Sequence, residues 1–289
     1  MGISRLAVVG AGFMGSGIAE TAAAAGKSVV LYEPNEAPLE LSRRRLAESL
    51  TRAQERGKLT AEDAQGVLSR ITYTTQLAGL EGVDAVVEAV VEDPKVKGQL
   101  FQDLDRLLPH ASFLASNTSS IPIAELAAWT SRPERVLGLH FFSPVPVMKL
   151  VEVVVALDTA PATVSAAQTL AQEIGKTPIR TKDRSGFVVN MLLVPYLMAA
   201  VRMFEEGFAT REDIDEGMKL GCAHPMGPLT LCDFIGLDVL YAVCDSLYEE
   251  FKRPEYAPPP LLKRMVVSGH HGRKTGRGFY EYEQPAAAA

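Results

Sequence analysis

A glycine-rich stretch near the N-terminus constrains the fold of this chain more than any other part of its sequence. In "VVGAGFMGSGIAE", Gly10, Gly12 and Gly15 have the spacing G-x-G-x-x-G between a β-branched run and a helix-like run. The first glycine permits a tight turn, the second lets the backbone approach a pyrophosphate, and the third lets helix and strand pack closely. The stretch predicts the first strand, turn and helix of a dinucleotide-binding sheet, against the alternative of a merely glycine-rich turn.

An acidic residue at the end of the second predicted strand supports dinucleotide binding. Glu33 ends the run "SVVLYE", where a carboxylate accepts hydrogen bonds from the adenine ribose. A 2′-phosphate would meet like charge there, so the sequence favours NAD over NADP. The basic triplet Arg43-Arg44-Arg45 lies too far downstream in the sequence to reverse this preference.

Short apolar runs alternate with helix-like segments through the first part of the chain. The runs include "RLAVVG", "SVVLYE", "VDAVVEAV", "SFLAS", "RVLGLHF" and "LVEVVV". Such alternation predicts an α/β fold, a mostly parallel Rossmann-type sheet with helices on both faces. Between Glu36 and Leu68 we expect a helical hairpin insertion rather than a simple crossover.

The second part of the chain has a different pattern. From Phe187 onward nearly every segment is helix-like, with Thr210 and Asp213 as a predicted N-terminal cap and Gly221 as a predicted helix end. We therefore expect an NAD-binding domain over residues 1–183 and an all-helical domain over residues 184–289.

Composition limits the classes of function. The net charge of −6 argues against a general nucleic-acid-binding protein. The longest apolar run, "FVVNMLLVPYLMAAV", is too short for a membrane span, so we expect a buried helix. The 3 cysteines lack CxxC spacing, which favours reduced thiols in a cytoplasmic protein over a metal site. The N-terminus leads directly into a strand, so we expect no signal peptide, and the terminal "QPAAAA" is expected to be a frayed tail.

The stretch "LGLHFFSPVPVMKLVEVV" places one histidine and one glutamate among apolar residues. A buried carboxylate without a partner is costly, so we expect Glu152 to pair with His140. An imidazole titrates near neutral pH and can take the proton of an alcohol as its hydride leaves, while a nearby carboxylate stabilises the imidazolium. The pair is therefore a candidate for catalysis, and a structural ion pair is the alternative.

Small polar side chains follow another predicted strand. In "LASNTSSIP" they are Asn117, Thr118, Ser119 and Ser120. Ligands of parallel sheets bind at the carboxyl ends of the strands, but a cap for the helix beginning in "IPIAEL" is an equal alternative. Asn190 lies in an apolar helix, where a satisfied core asparagine is the alternative to a site residue.

A basic stripe is predicted on one face of the helical insertion. Arg45, Ser49, Arg52 and Arg56 recur at helical spacing, and Lys58 follows near the end of the helix. Most such stripes are solvated faces, but a substrate that carries phosphates can use one.

Several segments, taken in order, resemble the L-3-hydroxyacyl-CoA dehydrogenase family, including bacterial 3-hydroxybutyryl-CoA dehydrogenases. They are "GAGFMGSGIA", "VEAVVEDPKVK", "SNTSS", "LHFFSPVPVMKLVEVV", "DRSGFVVNMLLVPYLMAAVRM", "KLGCAHPMGPLTLCDFIGLD" and "GRKTGRGFYEY". The resemblance covers nearly the whole chain. It implies a Rossmann-type domain followed by a helical domain through which the protein forms a homodimer, and it implies NAD as the cofactor.

The resemblance also implies roles for individual residues. His140 matches the catalytic base, Glu152 its partner, and Ser119 the serine that contacts substrate oxygen and cofactor. Asn190 matches an active-site asparagine from the second domain. The expected cofactor contacts are Gly10, Gly12, Phe13, Met14, Gly15, Glu33, Ala89, Glu92, Lys97, Asn117, Ser119 and Ser143. The expected substrate contacts, besides Ser119 and Asn190, are Ser49, Arg52, Arg56 and Lys58.

Two positions depart from the family pattern. Ser143 stands where the family usually has Asn, and Glu33 where many members have Asp. We expect NAD-dependent oxidation of a short-chain L-3-hydroxyacyl-CoA to 3-ketoacyl-CoA, or the reverse. The alternatives are a dehydrogenase for a carrier-protein-bound or free hydroxy acid and, further off, a non-catalytic NAD-binding protein.

Overall fold

The chain forms two compact units, which divide between Arg184 and Ser185, next to the predicted domain boundary. The computed structural model describes residues 2–283. The terminal "QPAAAA", predicted to be a frayed tail, lies outside the described residues.

The first unit is built on an 8-stranded sheet with the order β3-β2-β1-β4-β5-β6-β7-β8. The strands are β1 Arg5–Val9, β2 Ser28–Tyr32, β3 Ile71–Thr74, β4 Ala85–Glu88, β5 Leu114–Ser116, β6 Val136–Phe141, β7 Leu150–Val155 and β8 Thr177–Lys182. Neighbouring strands are parallel except β6 and β7, which are antiparallel. The exception follows from the short connection over residues 142–149, because a parallel crossover needs a dozen or more residues. The predicted mostly parallel α/β fold is confirmed.

Helices cover this sheet. They are α1 Phe13–Ala24, α2 Glu36–Glu55, α3 Ala61–Ser69, α4 Pro94–Leu107, α5 Ile123–Ala127 and α6 Pro161–Glu173. The predicted helical hairpin is present as α2 and α3, and Thr60 and Asp63 form a reciprocal capping box at the start of α3. The core lies between β-branched strand residues and the inner faces of these helices, with α1 almost wholly buried because it packs directly on the sheet.

The second unit is helical through its main elements. They are α7 Val189–Glu205, α8 Arg211–Cys222, α9 Pro228–Ile235, α10 Leu237–Phe251 and α11 Pro260–Val267. Thr210 caps α8 by accepting a hydrogen bond from the N–H of Asp213, as predicted. The predicted end at Gly221 is wrong, because α8 continues to Cys222 and ends where Ala223 turns left-handed, at φ 55°. Such a turn closes a helix by satisfying its last carbonyl groups.

The apolar helix α7 is buried on one face only. Leu197 and Val201 are fully covered by other helices of this unit, but the side chain of Leu192 is 73% exposed. The prediction of a buried helix is therefore right for one face and wrong for the other. The difference leaves an apolar surface that this unit does not cover by itself.

Candidate active site

The glycine turn after β1 shows which of its glycines the protein itself requires. A Cβ on Gly10, whose φ is +104°, would meet the carbonyl oxygen of Ala89 at 2.5 Å, and one on Gly15 would meet the carbonyl oxygen of Gly10 at 1.8 Å. A Cβ on Gly12 would meet nothing within 4 Å. The chain's own packing explains Gly10 and Gly15, whereas Gly12 leaves the backbone open to an approaching ligand.

The start of α1 stands beside that open backbone. Gly12 is the N-cap residue, and no side chain caps the helix or places an acidic group in its first turn. Phe13 is 59% exposed and Met14 is half-buried. A helix N-terminus without a side-chain cap is suited to an anion, so the turn fits the pyrophosphate of a dinucleotide.

Glu33 follows β2 and reaches the same turn. One of its carboxylate oxygens accepts a hydrogen bond from the backbone N–H of Ala11, at 3.3 Å. The guanidinium of Arg45 donates to the carbonyl oxygen of Ala11, at 3.5 Å. Although Arg45 lies far downstream in sequence, it reaches the turn because α2 packs back along α1. Glu33 and Arg45 together flank the position expected for the adenine ribose.

A histidine and two of its partners meet at the carboxyl ends of β5 and β6. His140 faces Glu152 directly in the antiparallel pairing of β6 with β7. Nδ1 of His140 lies 2.7 Å from Oε2 of Glu152, and Nε2 lies 2.9 Å from the hydroxyl oxygen of Ser119. His140 is 5% exposed and Glu152 is fully buried. The contact expected between His140 and Glu152 is thus present.

These contacts determine which nitrogen of the His140 ring carries the hydrogen and which can accept a proton. An ionised carboxylate only accepts hydrogen bonds, so Nδ1 carries a hydrogen and donates the hydrogen bond to Glu152. Nε2 then presents its lone pair on the side of Ser119, where it can take a proton from a hydroxyl group. The ring of Phe142 packs against the imidazole at a centroid distance of 4.7 Å and limits its rotation.

A charge network lies at the neighbouring strand end, with Glu88 and Lys97 buried and Glu92 partly exposed, and the sequence pattern indicated only part of it. The ammonium of Lys97 lies 2.7 Å from Glu88 and 3.0 Å from Glu92. Glu88, which was not among the predicted site residues, also accepts hydrogen bonds from Ser116 and from the backbone N–H of Val90. Its position in the run "VDAVVEAV" was a signal, because a lone acid among strand residues needs partners.

Glu92 holds the loop that carries Ser119. It accepts hydrogen bonds from the hydroxyl groups of Thr118 and Ser120 and, at 3.2 Å, from the backbone N–H of Ser119. Burial alone raises the pKa of Glu92, but the charge of Lys97 and these hydroxyl groups lower it, and the net pKa is below its usual range. Glu92 therefore stays ionised at neutral pH and orders the loop.

The helix-cap alternative for this loop does not hold. The first N–H groups of α5, those of Ile123 and Ala124, donate to the carboxylate of Asp183, each at 2.8 Å. Asp183 is distant in sequence, so no local pattern could have identified it. Within the loop itself, the hydroxyl of Thr118 accepts hydrogen bonds from the N–H groups of Ser120 and Ile121.

The other predicted cofactor residues lie at the same edge. Asn117 accepts a hydrogen bond from the N–H of Phe141, which joins the ends of β5 and β6. Ala89 donates its N–H to Val9 beside the glycine turn. Ser143 is exposed beyond β6. Asn190 is half-buried at the start of α7, in the other unit, and its role stays a prediction.

The basic stripe of α2 divides into inward and outward residues. The hydroxyl of Ser49 donates to Glu20 on α1 at 2.9 Å, and like Arg45 it is half-buried. Arg52, Arg56 and Lys58 are exposed. The predicted single face is therefore only partly right, because α2 packs against α1 along half of it.

Two further findings bear on the class of site. Among residues 2–283, no group of His, Cys, Asp and Glu side chains is arranged to hold a metal ion. In the same part of the chain, no helix has the length and apolar character needed to cross a membrane. The cysteines in this part are free thiols, and burial raises the pKa of Cys244 to about 12.

A dinucleotide-binding sheet with a histidine–carboxylate pair at its carboxyl edge defines the class of nicotinamide-dependent dehydrogenases. The sequence pattern of the 3-hydroxyacyl-CoA dehydrogenase NAD binding domain matches residues 5–184, and that of the 3-hydroxyacyl-CoA dehydrogenase C-terminal domain matches residues 186–282. The chain belongs to the 3-hydroxyacyl-CoA dehydrogenase family, so the resemblance, the NAD cofactor and the dehydrogenase class are confirmed.

Individual relatives agree with this assignment. The chain is 53% identical over 282 residues to 3-hydroxybutyryl-CoA dehydrogenase of Mycobacterium tuberculosis, covering 97% of this chain and 99% of that one. It is 43% identical to the human mitochondrial hydroxyacyl-coenzyme A dehydrogenase over 97% of this chain and 92% of that one. The crystal structure of M. tuberculosis FadB2 superposes with a TM-score of 0.96 at 53% identity, covering 98% of this chain and 100% of that one.

Proposed function

We propose that this dehydrogenase oxidises a short-chain L-3-hydroxyacyl-CoA, such as 3-hydroxybutyryl-CoA, to the 3-ketoacyl-CoA and also catalyses the reverse reduction. The observation that carries the proposal is the hydrogen-bonded series Ser119–His140–Glu152 at the carboxyl edge of the sheet. The names of its bacterial relatives support the short chain.

Each residue at the site has a proposed role in the transfer of the proton and the hydride. NAD, when bound, supplies the hydride acceptor for C3 of the substrate. Nε2 of His140 takes the proton of the C3 hydroxyl, and Glu152 stabilises the imidazolium that forms. Ser119 hydrogen-bonds the substrate oxygen and aligns it with Nε2. Asn190, from the helical unit, is proposed as a second contact to that oxygen.

The cofactor fits the residues that the structure places together. The open backbone at Gly12 and the start of α1 at Phe13 and Met14 suit the pyrophosphate, with Gly10 and Gly15 shaping the turn. Glu33 suits the adenine ribose. The proposed contacts to the nicotinamide half are Ala89, Glu92, Lys97, Asn117, Ser119 and Ser143.

The CoA group is proposed to bind along the outward part of the α2 stripe. Arg52, Arg56 and Lys58 are exposed cations close together in sequence, and CoA carries a diphosphate and a 3′-phosphate. Ser49 is proposed as a contact at the inner edge of this surface, although its hydroxyl proton is engaged by Glu20.

The helical unit is proposed to form a homodimer. A groove of about 510 Å³ beside α7 is lined almost entirely by apolar side chains, among them Leu192 and Phe234, and Leu220 is 78% exposed. A second copy of the chain would cover this surface. The exposed free thiol of Cys222 supports a reducing, cytoplasmic location.

A panel of acetoacetyl thioesters tests the proposal. The rate of NADH oxidation is measured with the acyl group on CoA, on acyl carrier protein and on N-acetylcysteamine. We expect the highest kcat/KM with CoA. A higher kcat/KM with the carrier protein would show that the substrate is the carrier-protein thioester rather than the CoA thioester. The cations of α2 also suit an acidic protein surface.

A further inference from the structure

The network of Glu88, Lys97 and Glu92 has an excess of negative charge. It contains two carboxylates and one ammonium, so its net charge is −1 when all three are ionised. Within the described residues, Lys97 is the only cation in ion-pair contact with either carboxylate. Across residues 2–283, no second ion pair offsets the remaining negative charge of these two carboxylates.

Glu92 is the one of these three residues whose charge is partly exposed at the surface. The side chains of Glu88 and Lys97 are 0% and 1% exposed, whereas that of Glu92 is 42% exposed. Glu88 is surrounded by donors, namely Lys97, Ser116 and the N–H of Val90. Glu92 is therefore the carboxylate of the network that is accessible from outside the protein.

That carboxylate lies close to the proton-transfer pair. Glu92 accepts a hydrogen bond from the N–H of Ser119, and the hydroxyl of the same serine contacts His140. In alcohol oxidation, the proton and the hydride leave from one HO–C–H group. The ring that accepts the hydride must therefore approach the same carbon as Nε2 of His140, near the loop that Glu92 holds.

We infer that Glu92 selects the oxidation state of the cofactor and makes the enzyme bind NAD⁺ more tightly, relative to NADH, than it would without this carboxylate. The nicotinamide ring carries a positive charge in NAD⁺ and none in NADH. The pyrophosphate, riboses and adenine are the same in both, so their contacts cancel in the ratio of the two dissociation constants. The inference rests on the proposed function, because it takes Ser119 and His140 as the reacting site.

The ionisation of Glu92 agrees with this role. Its pKa lies below the usual range because Lys97, Thr118 and Ser120 offset the effect of burial. The carboxylate is thus charged at neutral pH.

The experiment measures dissociation constants for NAD⁺ and NADH by calorimetry and by NADH fluorescence, without substrate. In Glu92→Gln we expect the ratio Kd(NAD⁺)/Kd(NADH) to rise about tenfold, the size expected for a unit charge several ångströms away near a protein surface. Glu92→Asp keeps the charge and should stay within about twofold of the native ratio. Glu81→Gln removes an exposed charge just before β4, at the opposite end of the strand, and should leave the ratio unchanged.

Two results would overturn the inference. One is an equal loss of affinity for both cofactors in Glu92→Gln, which would make Glu92 an ordinary contact. The other is a shift in Glu92→Asp as large as that in Glu92→Gln, which would assign the effect to shape. If Glu92→Gln does not fold, the native ratio is measured against salt. Since Glu92 is partly exposed, the ratio should rise as salt screens it, and a constant ratio would contradict the inference.

Failure of the proposed function has a different signature. A native protein that binds both cofactors but does not turn over acetoacetyl-CoA would refute the proposed reaction. A native protein that turns it over and whose Glu92→Gln variant keeps the native cofactor ratio would refute only the role of Glu92.

Discussion

Nδ1 of His140 and Oε2 of Glu152 lie 2.7 Å apart because the two residues face each other across the antiparallel pair β6–β7. The pair is shielded from water, since both side chains are buried against the sheet. The carboxylate therefore holds the tautomer and the orientation of the imidazole before any substrate arrives.

The first prediction is that His140 and Glu152 act as one unit. His140→Ala should lower kcat by about 10²–10⁴-fold, the usual effect of removing a positioned general base, and leave the Kd for NADH near its native value. Glu152→Gln should also lower kcat. Measured by steady-state kinetics, the loss of kcat in the double variant should be far smaller than the product of the two single losses. A loss equal to that product would mean that the two residues act independently and would contradict the prediction.

The second prediction concerns the glycine turn. Gly12→Ala should keep native thermal stability, because its Cβ meets nothing within 4 Å, but should weaken NADH binding by roughly tenfold or more as the backbone can no longer approach the pyrophosphate. Gly15→Ala is the contrasting variant. Its Cβ would meet a carbonyl oxygen at 1.8 Å, so we expect a clear loss of Tm. Calorimetry measures the loss of NADH affinity, and thermal melts measure the loss of Tm. Unchanged NADH affinity in Gly12→Ala would show that the pyrophosphate does not bind at this turn.

The third prediction is that Glu33 selects NAD over NADP. Glu33→Ala should lower kcat/KM for NADH by about tenfold, as expected for the loss of charged hydrogen bonds to the ribose, and should narrow the gap to NADPH. Arg45 is at the same turn, so adding Arg45→Ala should remove any gain with NADPH. A native preference for NADPH would contradict this assignment.

The fourth prediction tests the CoA surface. Arg52→Gln, Arg56→Gln and Lys58→Gln should each raise KM for acetoacetyl-CoA by up to about fivefold, since exposed ion pairs contribute about 0.2–1 kcal/mol each. The effect should be larger at low salt and absent with the N-acetylcysteamine thioester. Arg44→Gln, an exposed position on the same helix, is the control. Equal effects on both thioesters would place the CoA group on another face.

The fifth prediction concerns Ser143, where the chain departs from its family. Serine is shorter than asparagine and lacks its amide donors, so it can reach a cofactor through a water molecule with little loss. Ser143→Asn should be active and bind NADH equally or up to about fivefold more tightly, the value of one net hydrogen bond. Ser143→Ala should lose less than about tenfold in kcat/KM on the same basis. Loss of turnover in Ser143→Asn would indicate a pocket reshaped around serine.

The main elements of the fold were predictable because they depend on local patterns. The glycine spacing, the β-branched runs and the change to helical periodicity near residue 187 each act over a few residues. The same holds for the cap at Thr210. The end of α8 was not predictable from Gly221, because a left-handed residue can be accommodated at Ala223 once the chain beyond it is packed.

The site was predictable in part. His140, Glu152 and Ser119 were recognisable as residue types at strand ends, and their family segments assigned them roles. Their contact distances, however, depend on the register of β6 with β7 and on the approach of the β5 loop, which no local pattern determines.

The sequence by itself determined the alternation of strands and helices in the first unit, the nucleotide-binding turn and the acid that follows β2, because each is encoded by neighbouring residues. Only the tertiary structure decided that Glu88 shares Lys97 with Glu92, that Asp183 caps α5 and that Arg45 reaches the glycine turn. The second and third contacts join residues far apart in the chain, and the first joins a strand end and its loop to the helix that follows. They exist because buried charges and helix ends must find partners wherever packing brings them.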